Sequence, residues 1–542
     1  MRKMKNMFIR TINQKDNKAY LFQPIEITVK ANSPQYGSGI KDEMKVAIFH
    51  SDGTYWCGNG YHHEGGEWRI RFTPTKSGHF SWSLESDDPG LNNQKGEFIV
   101  GRKKAENIFL THGPIEISES GRFFQHQDGT PFFWLGESLW AVAQQATDIE
   151  LNDYFEVRNR QGLSVVQFNT LLNWESTTPY RREPFIKESD QPNLDKYDPG
   201  YFQFLDKLFD KCASNDMLTA AVVLWFNYLP GEKPDWYDPP YKWPVFTENQ
   251  AYRYGKFLGA RYGAFPVVWI ISADIGHVDT ENLPILHAAV EGLYEASFNQ
   301  PIITYHNAAK CAYHPILAQQ DWHSFHFIQS GHRSDAVGFP SGFVRAARTQ
   351  TNKKPVVNGE MFFEGLGHTR EDKQVPLEMI RRAAWESFLS GANAGISYGA
   401  HGLWCWYSPE LEFRMDYLWQ KPMPWRNALN FEGFRIYQNI KEFFKELPWF
   451  DLEEATDIPI HELSEEPTTA SRIGDGKYII IYLPKMRKLR LTDPGLINAP
   501  AKWFDPIDGH YEETEIVAEH GGVGAQLPSW THDGVLLIGP LR

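Results

Sequence analysis

The chain has 542 residues, 42% hydrophobic and 23% charged, the balance of a globular protein able to bury several cores, which excludes disordered and collagen-like classes. Its mean hydropathy is −0.48, and no run comes near the roughly 18 consecutive apolar residues that a membrane span needs. The formal charge is −14 with no basic stripe, so nucleic acid is not an expected partner.

The first seventeen residues, Met1 to Asn17, are basic but lack an apolar stretch, so they do not read as a secretory signal and a cytoplasmic location is expected. Residues 1–105 read as a β-sandwich of Ig-like type. Ile25, Ile27 and Val29 alternate with Glu26, Thr28 and Lys30. Trp68, Ile70 and Phe72 repeat the pattern, as do Phe80, Trp82 and Leu84. A period of two marks half-buried antiparallel strands. Asp52-Gly53, Gly65-Gly66 and Ser77-Gly78 supply the turns. His62, His63 and Glu64 read as a solvated loop between strands.

Residues 106–448 alternate apolar strand-like runs with amphipathic helical stretches. Eight strands are expected, at 132–135, 165–170, 218–224, 267–272, 301–305, 324–328, 355–358 and 395–398. Helical patterns at 149–160, 201–215, 247–262 and 377–390 lie between them. Near-continuous apolar strands indicate a parallel sheet covered on both faces. Eight βα units predict a (β/α)8 TIM barrel. The link between the fifth and sixth strands is short and poorly helical. A doubly wound open sheet is the alternative, but no Gly-rich turn follows the first strand. A helix is expected over 431–444. Residues 449–542 then read as a small antiparallel β-domain, with strands at 478–483 and 535–538.

Aromatic residues form 15% of the chain: 19 Trp, 24 Tyr and 36 Phe. Much of this is core. The remainder suggests a carbohydrate site, because flat rings match the C–H faces of sugars and pockets combine aromatic walls with a few placed polar groups. The four cysteines, Cys57, Cys212, Cys311 and Cys405, form no Cys-x-x-Cys pair, which excludes a zinc knuckle. His323 and His326 have a spacing of three but fall on a strand, so no metal site is assigned, and no cofactor is expected.

Barrel active sites lie at the C-terminal ends of the strands. The polar and aromatic residues there include Glu137 and Trp140 on strand one, Asn169, Asn173 and Trp174 on strand two, and Trp225 and Asn227 on strand three. Asp274 ends strand four, and Tyr305 and His306 end strand five. Gln329 and His332 end strand six, Glu360 and Glu364 lie at strand seven, and Tyr398, His401 and Trp404 lie at strand eight. An acid at the end of a buried strand is costly inside a packed core and useful in a polar mouth. Asp274 and Glu360 are such acids, on strands four and seven. Paired carboxylates across a cleft are the apparatus of glycoside hydrolysis. Lys is absent from the set, which argues against Schiff-base chemistry. The stretch from Pro179 to Asp198 and the segment Asp235–Tyr241 read as long loops lining a cleft.

Three segments carry a resemblance: Phe132-Phe133-Trp134-Leu135-Gly136-Glu137-Ser138-Leu139-Trp140, Val356-Val357-Asn358-Gly359-Glu360 and Ser397-Tyr398-Gly399-Ala400-His401-Gly402-Leu403-Trp404. With them, the chain resembles clan A glycoside hydrolases of the apiosidase-like barrel type. Gln329-Ser330-Gly331-His332 also fits, and Trp503-Phe504-Asp505-Pro506-Ile507-Asp508-Gly509 resembles a motif of the C-terminal β-domain such barrels carry. The resemblance implies Asp274 as general acid/base, Glu360 as nucleophile, retention of configuration, and plant-cell-wall-type oligosaccharides as substrate. Glu137, Trp140, Asn169, Trp225, Tyr305, His306, Gln329, His332, Glu364, Tyr398, His401 and Trp404 become the expected sugar contacts. Two departures stand near the sugar subsite. Glu137-Ser138 replaces the usual Asp-Thr, and Ser272-Ala273-Asp274 replaces Gly-Gly-Asp, so apiose specificity is not carried over. The competing readings are a non-catalytic glycan binder, which would need no acid pair, and a metal-dependent barrel hydrolase, which would need clustered His and Asp at strand ends.

Overall fold

The computed structural model describes residues 8–13, 15–35, 37, 42–171, 177–178, 181–189, 191–231, 244–309, 311–332, 339–350, 353–369, 373–413, 415–458, 468–519 and 522–540. Eight parallel strands form its centre: β1 (Trp134–Ser138), β2 (Val165–Asn169), β3 (Leu218–Trp225), β4 (Val267–Ala273), β5 (Ile303–Thr304), β6 (His326–Gln329), β7 (Val356–Glu360) and β8 (Gly395–Ala400). Their order across the sheet is 5-4-3-2-1-8-7-6. Isolated bridges, Ile303 to His323 and His306 to Phe327, join β5 to β6 and close the ring. This is the expected TIM-like barrel.

The strands are apolar because both faces are covered. All eight residues of β3 are buried, some against the helices and some in the barrel interior. The longer helices are α1 (Asp148–Arg160), α2 (Pro199–Ser214), α3 (Glu248–Tyr262), α4 (Leu283–Ala296), α5 (Phe339–Arg348), α6 (Leu377–Leu389) and α7 (Gly433–Phe444). Thr147 with Glu150, and Thr247 with Gln250, form capping boxes that start α1 and α3. Among the described residues only the four-residue helix Pro315–Ala318 lies between β5 and β6. Strand ends fall within two residues of the sequence reading except at the C-terminal end of β1. Phe132 instead joins a small antiparallel sheet with Phe124–His126, so the barrel strand starts and ends later.

The N-terminal part folds as two β-sheets, of four and five strands. Ile25, Ile27, Ile48, Phe72 and Phe98 are among the residues packed between them. His62 and His63 correct the sequence reading: they lie on the strand Tyr61–Glu64 rather than in a loop. Gly65-Gly66 is the turn, which puts Tyr61 opposite Arg69 in a hairpin and leaves His63 buried. This region docks on the barrel through Asp206, which pairs with Arg71 at 2.9 Å and with Arg261 at 2.7 Å.

The C-terminal part is a seven-stranded, mainly antiparallel sheet. Its faces alternate as the pleat requires. Tyr478, Ile480, Tyr482, Val535 and Leu537 pack into the barrel's core, while Ile481, Leu483, Trp503, Leu536 and Ile538 form a cluster of their own. A buried ion pair of 2.7 Å between Arg381 of α6 and Asp533 fastens the sheet to the barrel. Among the described residues no helix is long and apolar enough to cross a membrane.

Candidate active site

Asp274 directly follows β4 and has a left-handed backbone, with φ of 51°. That conformation is strained for most side chains and best tolerated by Asn and Asp. Its carboxyl oxygen lies 3.8 Å from Nδ1 of His306, and its backbone nitrogen lies 3.4 Å from the same atom. Glu360 ends β7. The pairing of β6 with β7 slips by one residue here, so Ile328 faces Asn358 and Gln329 faces Glu360. Gly359 is the skipped residue. A Cβ there would stand 2.0 Å from the Phe327 ring, so only glycine fits the approach.

The Glu360 carboxylate accepts three hydrogen bonds. Nε2 of His306 donates to Oε2 at 3.0 Å, and Oε1 receives Nε2 of Gln329 at 3.0 Å and Nε2 of His332 at 2.8 Å. One imidazole therefore stands between the two acids. Both carboxyls are almost wholly buried, at 6% exposure for Asp274 and 5% for Glu360. Their proton affinities diverge. Burial raises the pKa of Asp274, the charge of Glu360 raises it further, and it reaches about 7 against the pull of His306. Burial also opposes ionisation of Glu360, but the hydrogen bonds from His306 and His332 outweigh it and bring the value down to about 2. His306 is held above its ordinary value: burial works against its charge, and the bond to Glu360 with the charges of both acids prevails. Acids driven apart by their surroundings are the mark of divided acid and base roles.

Aromatic rings wall this group on the β1 to β3 side. Trp140 sets its edge against His306 with centroids 5.6 Å apart, and Trp225 stands 6.1 Å from Trp140. On the other side Phe363 packs on His332 at 4.4 Å and is backed by Trp404. Several buried polar atoms around the mouth have no protein partner among the described residues. They are Oδ1 of Asn169, Nε1 of Trp225, both amide atoms of Asn227, Oδ1 of Asn307, Oε1 of Gln329 and Nδ1 of His332. Unpaired buried polar groups are costly, and their gathering at strand ends suits a polyhydroxylated ligand.

Five expected sugar contacts, Glu137, Tyr398, Glu364, Tyr305 and His401, are engaged by the protein itself. Glu137 has no exposed surface and points out of the barrel to α1. It pairs with Arg158 at 2.6 Å and receives the Tyr154 hydroxyl at 2.5 Å. Side chains alternate along a strand, so Gly136 and Ser138 face inward and Glu137 cannot. Tyr398 also faces outward, donating to Glu364 at 2.5 Å. Glu364 in turn accepts the backbone N–H of Gly433 at 2.8 Å, at the N-terminus of α7. Tyr305 donates its hydroxyl to the backbone of His314 at 3.4 Å. His401 has both nitrogens engaged, by Nε1 of Trp404 and by the carbonyl of Gln420, so it orients Trp404. Asn173, Trp174 and Asp235–Tyr241 lie outside the described residues, as does part of the 179–198 stretch. The reading from sequence missed Arg158 and Phe363. Arg158 lies four residues after Tyr154 on one helix face, a spacing that could have suggested it; Phe363 lies on a short strand past Glu360, and no local spacing announces it.

A family model described as the apiosidase-like catalytic domain matches residues 118–451. A crystal structure of a glycoside hydrolase family 5 protein from Bacteroides vulgatus is 23% identical, covering 81% of this chain and 95% of its own, with a TM-score of 0.65. A putative glycoside hydrolase from the same organism is 16% identical, covering 96% of this chain and 99% of its own, with a TM-score of 0.73. At these identities the likeness bears on the fold. No curated protein matches the chain.

Proposed function

The chain belongs to the apiosidase-like family and is a glycosidase, and from that premise we propose a retaining hydrolase of plant-cell-wall-type oligosaccharides with Asp274 as acid/base and Glu360 as nucleophile. The observation that carries the assignment is His306 standing between two buried carboxyls of opposite proton affinity. Asp274, raised to about 7, keeps its proton near neutral pH, and Glu360, lowered to about 2, is charged.

The reaction then runs in two displacements. A Glu360 oxygen attacks the anomeric carbon as the bond to the leaving oxygen breaks, and Asp274 gives its proton to that oxygen. A covalent glycosyl ester results. Water enters, Asp274 takes its proton, and the water oxygen bonds the anomeric carbon while Glu360 departs as a carboxylate. His306, His332 and Gln329 supply the donors that hold Glu360 charged before attack and receive its charge back afterwards.

Retention is what the resemblance to clan A barrels implies, and the configuration of the product tests it. Gln329 donates its amide to Glu360 at 3.0 Å and helps to fix the nucleophile. Trp140, Trp225, Asn169 and Trp404 are the proposed sugar contacts.

A panel of aryl pyranosides and furanosides of both anomers tests the proposal, with wild type beside Glu360→Gln and Asp274→Asn. Turnover of one or a few glycosides, lost by orders of magnitude in both variants, is expected. Turnover unchanged in the variants would remove both residues from the chemistry, and an inverted product would remove the covalent step.

A further inference from the structure

Helix α3 has two working faces. Tyr254 and Leu258 are buried on one, and the Tyr254 hydroxyl donates to Oγ1 of Thr170 at the end of β2, at 2.9 Å. Asn249, Tyr252, Arg253, Lys256 and Phe257 recur at helical spacing on the other and line a cavity outside the barrel. The N-terminal β-domain supplies a facing wall with Tyr61, His63 and Trp68, and the hairpin of strands Phe185–Glu188 and Gln191–Tyr197 supplies a third with Asp195 and Tyr197. The enclosed space is about 680 Å³, within the roughly 300–1,000 Å³ of small-molecule sites, which favour junctions between domains. We infer that this junction is a second, non-catalytic site for a neutral oligosaccharide.

The walls select that class of ligand. Tyr197, Tyr252 and Phe257 are half-buried, so their rings keep surface for the C–H faces of sugars. Tyr197 and Phe257 lie 4.7 Å apart between centroids and make a joint platform, and the Tyr252 ring is held by its hydroxyl, which donates to Glu295. The charges are matched within the protein. Arg253 pairs with Asp195, Lys256 pairs with Glu43 and with Glu295, and Arg261 pairs with Asp206 at 2.7 Å. A charged ligand would have to displace one of these partners. A polyol needs only the N–H groups and lone pairs that such pairs leave over.

An unmet hydrogen bond adds an independent sign of a ligand. His63 is 9% exposed, and its Nδ1 has no partner among the described residues. Burial lowers its pKa, and the charges of Arg69 and Arg261 lower it further, so the ring is neutral and offers one donor and one acceptor. A hydroxyl group answers either. Along the opposite wall α3 rises about 12 Å from Asn249 to Phe257, which gives room for more than one sugar ring. The inference rests on the chain being a glycosidase and not on the roles of Asp274 and Glu360.

Arabino-, galacto-, xylo- and cello-tetraose, with trigalacturonate as the charged contrast, test the proposal when titrated into the full chain carrying Glu360→Gln, which keeps the probes from being cut. Calorimetry measures binding, and amide exchange locates it. A neutral tetraose should slow exchange over 61–64 and 249–257, apart from any protection at the strand ends of the barrel. Tyr252→Ala should weaken that binding tenfold or more, and so should Asn249→Trp, which sets a large ring at an exposed position of the wall. An unchanged Tm shows that each variant is folded. The proposal is overturned if no neutral tetraose protects these segments, if trigalacturonate alone does so, or if both variants bind as the parent does. Failure of the acid pair would show instead as unchanged turnover in Glu360→Gln and Asp274→Asn, and would leave this site standing.

Discussion

Replacing Asp274 by Asn removes the acid and is expected to make the protein more stable at high pH. The carboxyl ionises near 3.8 when unfolded and near 7 when folded. Below about pH 4 it is neutral in both states and contributes nothing. Between about 4 and 7 the folded state holds a proton that the unfolded state has lost, so stability falls as pH rises through that window and stays low above it. Three units at about 1.4 kcal/mol each give a burden on the order of 4 kcal/mol at pH 8. A gain of about 2–4 kcal/mol for Asp274→Asn is therefore expected at pH 8 and none at pH 4. For 542 residues, at roughly 2 cal/mol/K of unfolding entropy per residue, that is an increase in Tm of about 2–4 °C. Calorimetric scans of both proteins at pH 4, 6 and 8 and constant ionic strength measure it. A Tm difference that does not vary with pH, or a less stable variant at pH 8, would mean that Asp274 is charged at neutrality and cannot serve as the acid.

Other outcomes follow from the same geometry. The profile of kcat/KM against pH should fall through about 7 as Asp274 loses its proton, and His306→Asn should move that limb upward because the imidazole's charge lowers the Asp274 pKa; an unmoved limb would disconnect the two groups. Glu360→Ala should lose activity by on the order of 10³-fold or more and recover part of it in azide with an activated aryl glycoside, yielding a glycosyl azide of inverted configuration; failure to form that product would argue against a covalent step. Glu137→Ala should destabilise the fold by about 3–5 kcal/mol by stranding the buried Arg158, read by chemical denaturation, while KM for a small glycoside stays within about twofold. A large rise in KM in a folded Glu137 variant would return Glu137 to the sugar site.

The barrel was legible because parallel strands covered on both faces write themselves as unbroken apolar runs, as Leu218–Trp225 does. The acids were legible because a carboxylate that ends such a run has few places to go but the mouth. What stayed hidden was the pleat at strand ends. Glu137 and Tyr398 sit one residue from inward-facing neighbours, and a register known only to within a residue or two leaves their faces open. Tyr305 was misplaced for the same reason beside His306, whose ring does reach Glu360. The bulge at Gly359 is a property of packing against Phe327, and nothing local in Asn358-Gly359-Glu360 announces it. His63 was hidden differently: a Gly-Gly pair marks a turn without saying how close the strand begins.

The ring of strands has one poorly sewn joint. Elsewhere neighbouring strands pair through ladders of at least two residue pairs, but among the described residues β5 has two residues and meets β6 only through single bridges. His306 stands on one side of that joint, and Gln329 and His332 stand on the other or just beyond it. Their common target, Glu360, is therefore gripped from both lips of a seam. Parting the lips by an ångström or two would free the carboxylate from His306 before any helix melted, so heat should silence such an enzyme below the temperature at which it unfolds. Amide exchange along 303–307 and 323–329 should outpace exchange in β2 and β3, and the margin would measure how far the barrel's architecture limits the working range of its chemistry.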